Sequence, residues 1–341
     1  MRHATRIVFA APRQAELQPC EVDEALGPGE FLVQTQCSLI SPGTELAWFT
    51  GLQREILGDA WSYPLYPGYC NVGRVLAVGP NSRYREGDLV VCHAPHASVA
   101  RSTVERPSCR VPRGLSPRQA AFARMAEIAL LSLRVASLSL GDQVLVLGLG
   151  LVGNLAAQLF RLAGADVLAA DFSPFRLERA RRCGLPLLVN PAEQSLQEAV
   201  AAWSAGQGAH IAVDATGTAP GILQAVMLTR NLGEVVMLGT PRQSVTLNAT
   251  PALLWAHQRG IVIKGAERGH HYGVLESPFT RHSSTRDLSL VMGWSQSGAL
   301  QTEPLRTHLL PPSACQQAYD GLDADKEHYL GVILDWTTDR G

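Results

Sequence analysis

The residues best placed for chemistry are Val144-Leu-Val-Leu-Gly-Leu-Gly-Leu-Val-Gly153, with Asp171 downstream. An apolar run from Val144 to Leu147 stops at glycines and restarts with the helical spacing Leu155, Leu159, Leu162. That pattern reads as strand, tight turn and helix. Gly148 allows the turn, Gly150 lets backbone approach a pyrophosphate, and Gly153 lets the helix pack closely on the strand. With Leu149, Leu151 and Val152, these residues set unpaired N–H groups at a helix N-terminus, where the dipole favours phosphate. A second apolar strand, Asp166 to Ala170, ends at Asp171. An acid there accepts hydrogen bonds from both hydroxyls of an adenosine ribose and repels a 2′-phosphate, so NAD is expected over NADP. Arg176 either tempers that exclusion or is a solvated residue of the next helix.

The elements around this motif alternate. Beyond Asp171 the pattern predicts helices over 174–183 and 195–205, a strand at Ile211-Ala-Val-Asp-Ala-Thr-Gly217, and a helix near 221–228. A strand at Glu234-Val-Val-Met-Leu-Gly-Thr240 follows, and Ile261-Val-Ile-Lys-Gly265 is the last clear one. Strand and helix in alternation mean a parallel sheet covered on both faces. Ligands lie at the carboxyl ends of such strands, so Thr216, Gly217, Gly239 and Thr240 are either cofactor contacts or ordinary turn residues. Residues 1 to about 120 read differently, as short strands punctuated by proline and glycine: Phe31–Gln36, Val72–Val78 and Leu89–Cys92, the makings of a compact barrel-like domain. Ser116-Pro-Arg-Gln looks like a helix cap, with helix expected to continue to Leu138. The tail carries a polar loop (Arg268–Tyr272), a helix (284–296) and a strand (331–336), expected to pack back on the first domain.

Composition bounds the function. With 341 residues, 46% hydrophobic and 17% charged, the chain can bury large cores and is expected to make two domains. Twenty-nine basic against thirty acidic residues leave a net charge of −1 and no basic block, which argues against nucleic acid as a partner. The most apolar region, Val144 to Phe160, is broken by glycines, Asn154 and Gln158, so a buried strand and helix explain it better than a membrane span. Ile7 to Ala11 is too brief for a signal peptide. Seven scattered cysteines without a Cys-x-x-Cys pattern suit free thiols in a reducing cytoplasm.

Five segments together resemble the medium-chain dehydrogenase/reductase superfamily over nearly the whole chain. They are Pro67-Gly-Tyr-Cys-Asn-Val-Gly-Arg-Val75, Arg85-Glu-Gly-Asp-Leu-Val90, Leu140-Gly-Asp-Gln-Val144, the Gly148–Gly153 fingerprint and Val213-Asp-Ala-Thr-Gly217. The resemblance implies an α/β chain with a GroES-like, β-rich catalytic domain (1–122 and 275–341) and a Rossmann dinucleotide-binding domain (123–274). It also implies a homodimer joined through the Rossmann sheet edges, with Ile261–Lys264 as the edge strand. Alcohol dehydrogenases of the superfamily hold a catalytic zinc on a cysteine, a histidine and a further cysteine or acid. The matching positions here are Ser41 (in Leu39-Ile40-Ser41), Tyr69 (in Gly68-Tyr69-Cys70) and, counting back from Gly141, Arg124. Serine, tyrosine and arginine do not suit an ion that prefers thiolate, imidazole or carboxylate, so no zinc is expected. Cys37, Cys70, His93 and His96 are a conceivable replacement set, although scattered Cys and His are usually core or surface residues. A closer likeness is to the zinc-less branch that includes bacteriochlorophyllide a dehydrogenase, at Ile40-Ser-Pro-Gly-Thr-Glu45, Thr50-Gly51 and Tyr63-Pro-Leu-Tyr-Pro-Gly-Tyr69; it leaves the substrate open.

Without a metal, some donor must stabilise oxygen charge as it develops. Tyr69, Ser41 and Thr44 are the candidate donors or relays, with Glu45 and Glu127 as orienting acids or bases. Each has a plainer reading. Tyr69 fills vacated volume, Ser41 and Thr44 cap a turn, Glu45 organises that loop, and Glu127 pairs with Arg124 along a helix. His93, His96, His270 and His271 are read as solvated loop residues. Trp48, Phe49 and Trp61 either wall a substrate cleft or pack in a core. The expected function is zinc-independent, NAD(H)-dependent interconversion of a small-molecule secondary alcohol and ketone. The alternatives are reduction of an activated C=C or C=N bond, and an NAD(H)-binding sensor or scaffold without turnover.

Overall fold

A computed structural model describes residues 1–52, 62–267 and 273–338. In chain order the first strands are β1 (Arg2–Ala11), β2 (Gln14–Val22), β3 (Glu30–Leu39), β4 (Asn71–Val78), β5 (Leu89–Cys92), β6 (Val99–Thr103) and β7 (Ser108–Arg110). Then come β8 (Gln143–Leu147), β9 (Asp166–Ala170), β10 (Leu187–Val189), β11 (Ala209–Asp214), β12 (Thr229–Met237) and β13 (Val262–Gly265), with β14 (Arg306–Leu310) and β15 (Gly331–Asp335) closing the chain. Two units result: Met1–Glu127 with Tyr272–Gly341, and Ile128–His271.

The first unit is built on antiparallel pairing. β1 and β2 form a hairpin sheet, and a second sheet runs β14-β15-β3-β4-β5-β7 with β6 also paired to β3. β3 is the centre of this sheet. Its apolar residues Phe31, Leu32, Val33 and Leu39 are at most 1% exposed, and it pairs with β4, β6 and β15 along its length. One core gathers Phe31, Val33, Val75, Tyr84 and Val90; another gathers Ile7, Phe9, Ile40, Phe49, Tyr319 and Val332. The tail therefore does build into this unit, through β15 and the helix Cys315–Ala324.

The second unit is a six-stranded parallel sheet ordered β10-β9-β8-β11-β12-β13. Counted within the unit that order is 3-2-1-4-5-6, the Rossmann arrangement, whose ligand crevice lies at the carboxyl ends of the strands where the order reverses. The GroES-like and Rossmann architectures expected from the sequence are both present. Local chemistry explains the helix starts: Ser173, Ser195 and Thr218 each accept the backbone N–H three residues on, satisfying an otherwise orphaned donor.

Two expectations about elements need correction. The helix expected to run unbroken from Ser116 is two helices, Pro117–Ala120 and Ala123–Val135. A full capping box between Ser116 and Gln119 starts the first, and the chain then turns at Ala121–Phe122, whose side chains are at most 1% exposed. β12 begins at Thr229, directly after the helix Ala219–Leu228, rather than at Glu234.

Candidate functional site

In the Rossmann unit, β8 runs into the glycine turn and the helix Leu151–Leu162. Gly148 has φ +91°, a conformation that disfavours any residue bearing a Cβ. Gly153 stands so close to the Gly148 carbonyl oxygen that a Cβ would overlap it. In front of Gly150, the helix N-cap, a Cβ would meet no atom within 4 Å, and no side chain caps this helix end. The first helical turn thus carries N–H donors without a side-chain cap, beside open space, an arrangement able to accept an anion. Leu149 and Leu151 are buried, at 0% and 3% exposure, so these residues contribute backbone to the turn while their side chains fill the core.

Asp171 follows β9. Its Oδ2 accepts the Leu149 N–H at 2.7 Å and its Oδ1 the Ser173 N–H at 2.9 Å, while Arg176 Nη1 stands 3.5 Å from Oδ2. The acid thus ties the glycine turn to the start of the next helix. Thr216 and Gly217 follow β11 and are organised by Asp214, which accepts from the Thr216 hydroxyl at 2.6 Å and the Gly217 N–H at 3.2 Å. Burial pushes the Asp214 carboxyl up, and the hydrogen bonds from Thr216 and Gly217 pull it part-way back. Gly239 donates its N–H to the Asp214 carbonyl at 2.8 Å. Thr216 and Thr240 have exposed side chains at the strand ends.

In the GroES-like unit, Ser41 is the N-cap of the helix Pro42–Phe49, but its hydroxyl makes no capping bond. It accepts instead from the Tyr69 hydroxyl in a short hydrogen bond. Thr44 also bonds the Tyr69 hydroxyl. The ring of Tyr69 stacks on His93 with centroids 5.8 Å apart, and the Arg124 guanidinium lies 5.8 Å from the ring centroid. Tertiary structure thus brings Ser41, Thr44, Tyr69 and Arg124 together from three separate segments. Burial holds the Tyr69 phenol above the ordinary tyrosine range, partly offset by the bonds to Ser41 and Thr44, so it stays a proton donor.

Arg124 and Glu127 form a short ion pair, at 3% and 0% side-chain exposure. Arg124 Nε and Glu127 Oε1 have no hydrogen-bond partner among the described residues. Glu45 is wholly buried and serves as a hub: Oε1 accepts the Ser41 N–H at 2.9 Å, and Oε2 accepts the Tyr319 hydroxyl at 2.6 Å and meets His96 Nε2 at 2.9 Å. Trp336 Nε1 can only donate, and does so to Ser38 Oγ at 2.9 Å. Ser38 Oγ also meets His96 Nδ1 at 2.7 Å, so the imidazole spans Ser38 and Glu45. His96 is therefore an interior residue, 0% exposed, and the solvated-loop expectation for it is overturned. Tyr319, Ser38 and Trp336 are the members of this network that sequence reasoning missed; hundreds of residues separate the tail from the loop, and no local pattern marks them.

Phe49 does not line a cleft. It is 0% exposed and packs on Phe9 and Tyr319, with ring centroids 5.5 and 5.4 Å away. Trp48 packs against the same core. Trp61, His270 and His271 lie outside the described residues.

Residues 152–274 match the family model of the zinc-binding dehydrogenases. That match lies almost wholly within the six-stranded unit. Likeness continues over the rest of the chain. The 2-desacetyl-2-hydroxyethyl bacteriochlorophyllide A dehydrogenase of Cereibacter sphaeroides is 26% identical across 97% of this chain and 98% of its own. Among solved structures, an Escherichia coli oxidoreductase/dehydrogenase of unknown specificity superposes with a TM-score of 0.84 at 17% identity, covering 98% and 99% of the two chains. An Escherichia coli alcohol dehydrogenase complexed with NADH superposes with a TM-score of 0.77 at 18% identity, covering 98% and 99%. The likeness to these dehydrogenases supports an oxidoreductase enzyme.

The family description implies zinc, and the donor set at the matching positions does not fit it. Ser41 and Tyr69 are hydroxyls bonded to each other, and Arg124 brings a permanent positive charge beside them. In the alternative set, Cys37 Sγ bonds the Pro117 carbonyl at 3.3 Å, burial pushes its thiol up to about 12, and His96 is spent on Ser38 and Glu45. Among the described residues, no three His, Cys, Asp or Glu side chains are grouped to hold a metal ion. None of the helices described is long and apolar enough to cross a membrane, and all seven cysteines are free thiols.

Proposed function

We propose that this dehydrogenase interconverts a secondary alcohol and its ketone with NAD(H), independently of zinc. The observation that carries the reading is the meeting of Ser41, Thr44 and Tyr69 hydroxyls where a metal would otherwise be held. Gly148 to Gly153 would hold the dinucleotide pyrophosphate, with Asp171 and Arg176 at the adenosine ribose and Thr216, Gly217, Gly239 and Thr240 at the strand ends beyond it. Hydride exchange is the chemistry that a bound nicotinamide supplies. The chain's own task is to orient the substrate oxygen and to manage one proton.

Tyr69 gives its hydrogen bond to Ser41, which keeps its own hydroxyl proton for the substrate oxygen. Proton movement along this pair stabilises charge developing on that oxygen, as fixed donors do in metal-free sites. Glu45 has its oxygens filled by Ser41, Tyr319 and His96, so it positions the loop rather than exchanging protons with substrate. Arg124 neutralises Glu127 and leaves it in the same supporting class. The secondary-alcohol assignment draws on the hydroxyethyl group named in the Cereibacter sphaeroides relative.

The test is turnover of the purified protein with NAD⁺ and secondary alcohols, and with NADH and the matching ketones, after dialysis against a chelator and with metal analysis of the same sample. Activity at substoichiometric zinc supports the reading. Stoichiometric zinc with activity lost on chelation would refute zinc independence. Turnover confined to conjugated alkenes or imines would move the activity to C=C or C=N reduction, and nucleotide binding without turnover would leave a sensor.

A further inference from the structure

In the GroES-like unit, residues 274–284 form a loop closed at its base and turned at its tip. At the base, Ser284 N–H donates to the Gly273 carbonyl at 3.1 Å, and Thr285 gives both its N–H and its hydroxyl to the Val274 carbonyl at 3.0 Å. Arg83 ties this base to the sheet, reaching the Thr285 hydroxyl at 3.3 Å and the Ser108 carbonyl of β7 at 2.6 Å. At the tip, Thr280 N–H donates to the Ser277 carbonyl at 3.1 Å and Phe279 N–H to the Ser277 hydroxyl at 3.2 Å. Pro278 sets the backbone at the second position of this turn, which puts Phe279 at the third. Compact loops with joined ends are frequently functional.

The turn presents apolar groups to solvent. Phe279 is 94% exposed, more than any other large apolar side chain among the described residues, and Leu275 is 44% exposed, with Pro278 exposed as well. The same segment encloses a hollow of about 440 Å³, lined by Ser277, Thr280, Arg281, His282 and Arg286, with Glu276 as an acid among them. Arg286 gives an N–H to the Arg281 carbonyl at 2.9 Å, which holds its guanidinium against the loop. Two permanent cations against Glu276 leave the lining net positive, and its hydroxyls and guanidinium forks suit phosphate oxygens.

An aromatic tip next to a basic hollow is matched by a surface that offers hydrocarbon and phosphate at adjacent depths. A bilayer containing anionic phospholipids is such a surface: aromatic rings settle at headgroup level, and arginines are drawn to the negative leaflet. A folded protein is a poorer match, because a stable protein interface takes about 800 Å² from each partner and this tip offers three apolar side chains. We propose that the loop 274–284 docks on membrane surfaces by taking an anionic phospholipid headgroup. Phe279 enters the hydrocarbon boundary, and Arg281 and Arg286 meet the headgroup phosphate. Docking of this kind is peripheral, needs no spanning helix, and is reversible because one small anchor holds weakly. It is independent of the hydride chemistry assigned above.

The experiment is co-sedimentation of the full-length protein with vesicles of phosphatidylcholine alone and of phosphatidylcholine mixed with phosphatidylglycerol. We expect binding to the anionic vesicles at least about fivefold stronger than to the neutral ones, and weakened by added salt. Phe279→Ser should reduce it by at least about tenfold, the effect of one buried phenyl group. Arg281→Glu combined with Arg286→Glu should abolish the preference for anionic vesicles. Both variants should keep the wild-type unfolding midpoint, since these side chains are exposed. No binding to anionic vesicles, or binding that neither variant weakens, would overturn the proposal. Release by inorganic phosphate, with Phe279→Ser binding as tightly as wild type, would make the hollow a site for free phosphate and overturn it too. So would lipid-free self-association, seen by ultracentrifugation and lost in Phe279→Ser, because a second copy of the chain would then cover the tip.

Discussion

Tyr69 concentrates the residue-scale argument, because its position, partners and acidity point the same way. Replacing it by phenylalanine keeps the ring between His93 and Arg124 and removes only the hydroxyl. Tyr69→Phe should therefore lower turnover by at least tenfold, donor removal at such sites costing about a hundredfold or more. Full activity in that variant would make the residue a space-filler. A phenol held above its ordinary value stays protonated to higher pH, so ketone reduction should show no loss from Tyr69 ionisation up to about pH 10, where an exposed tyrosine titrates. A fall in rate with a midpoint near pH 9 that disappears in Tyr69→Phe would contradict the assignment. Asp171→Ala removes both the ribose acceptor and the anchor of the Leu149 N–H. It should weaken NADH binding and narrow the gap to NADPH, measured by fluorescence titration with each; unchanged affinity for both would refute the ribose assignment. Asp171 could be found from the sequence because strand, glycine turn and acid follow one another along the chain. Ser41 and Tyr69 were legible only as departures from a ligand pattern, since nothing local says that two hydroxyls 28 residues apart will touch.

At the scale of elements, two junctions bear the load of the sites. The first is the crossing of the helix Leu151–Leu162 over the glycine turn. Gly153→Ala would drive a methyl group into the Gly148 carbonyl and the Ala215 side chain. Backbone cannot give way there cheaply, so the expected cost is about 1–3 kcal/mol together with loss of nucleotide affinity, checked by urea unfolding and NADH titration. Unchanged stability would mean that the helix can slide on β8. The second junction is Glu45, where the helix Pro42–Phe49, the His96 segment and the helix Cys315–Ala324 converge. Tyr319→Phe takes one donor from a buried carboxylate and should destabilise the protein by about 1–3 kcal/mol in the same unfolding assay. No change would show that His96 and Ser41 suffice to hold the charge. The strands and helices of the Rossmann unit were largely readable because each carries its own period and its own cap. β1, β2, β6, β7, β10 and β14 were not read, being short or irregularly patterned, and the break at Ala121–Phe122 is set by core burial that no helical period encodes.

At the scale of the whole molecule, the exposed edge of the Rossmann sheet is the feature that asks for a partner. Among the described residues β13 pairs with β12 alone, and Val262 and Ile263 on it are 49% and 42% exposed. An apolar unpaired edge invites another strand, and we propose that a second copy of this chain supplies it as a two-fold dimer. In such an interface a residue near the axis meets its own copy, so Ile263→Glu should set like charges against each other and yield monomers by analytical ultracentrifugation. A wild-type monomer at micromolar concentration would refute the dimer. By itself, the sequence determined the two kinds of unit, the dinucleotide motif and the mismatch with a zinc ligand set, because these depend on periodicity and residue chemistry carried along a continuous stretch. Only the tertiary structure decided that Tyr69 bonds Ser41, that Glu45 is consumed by Tyr319 and His96, that Phe49 belongs to the core, and that Arg176 leans on Asp171 with an unsatisfied N–H. Those facts depend on where burial forces distant side chains to find partners, and the free energy of a buried polar group is set by neighbours in space rather than in sequence.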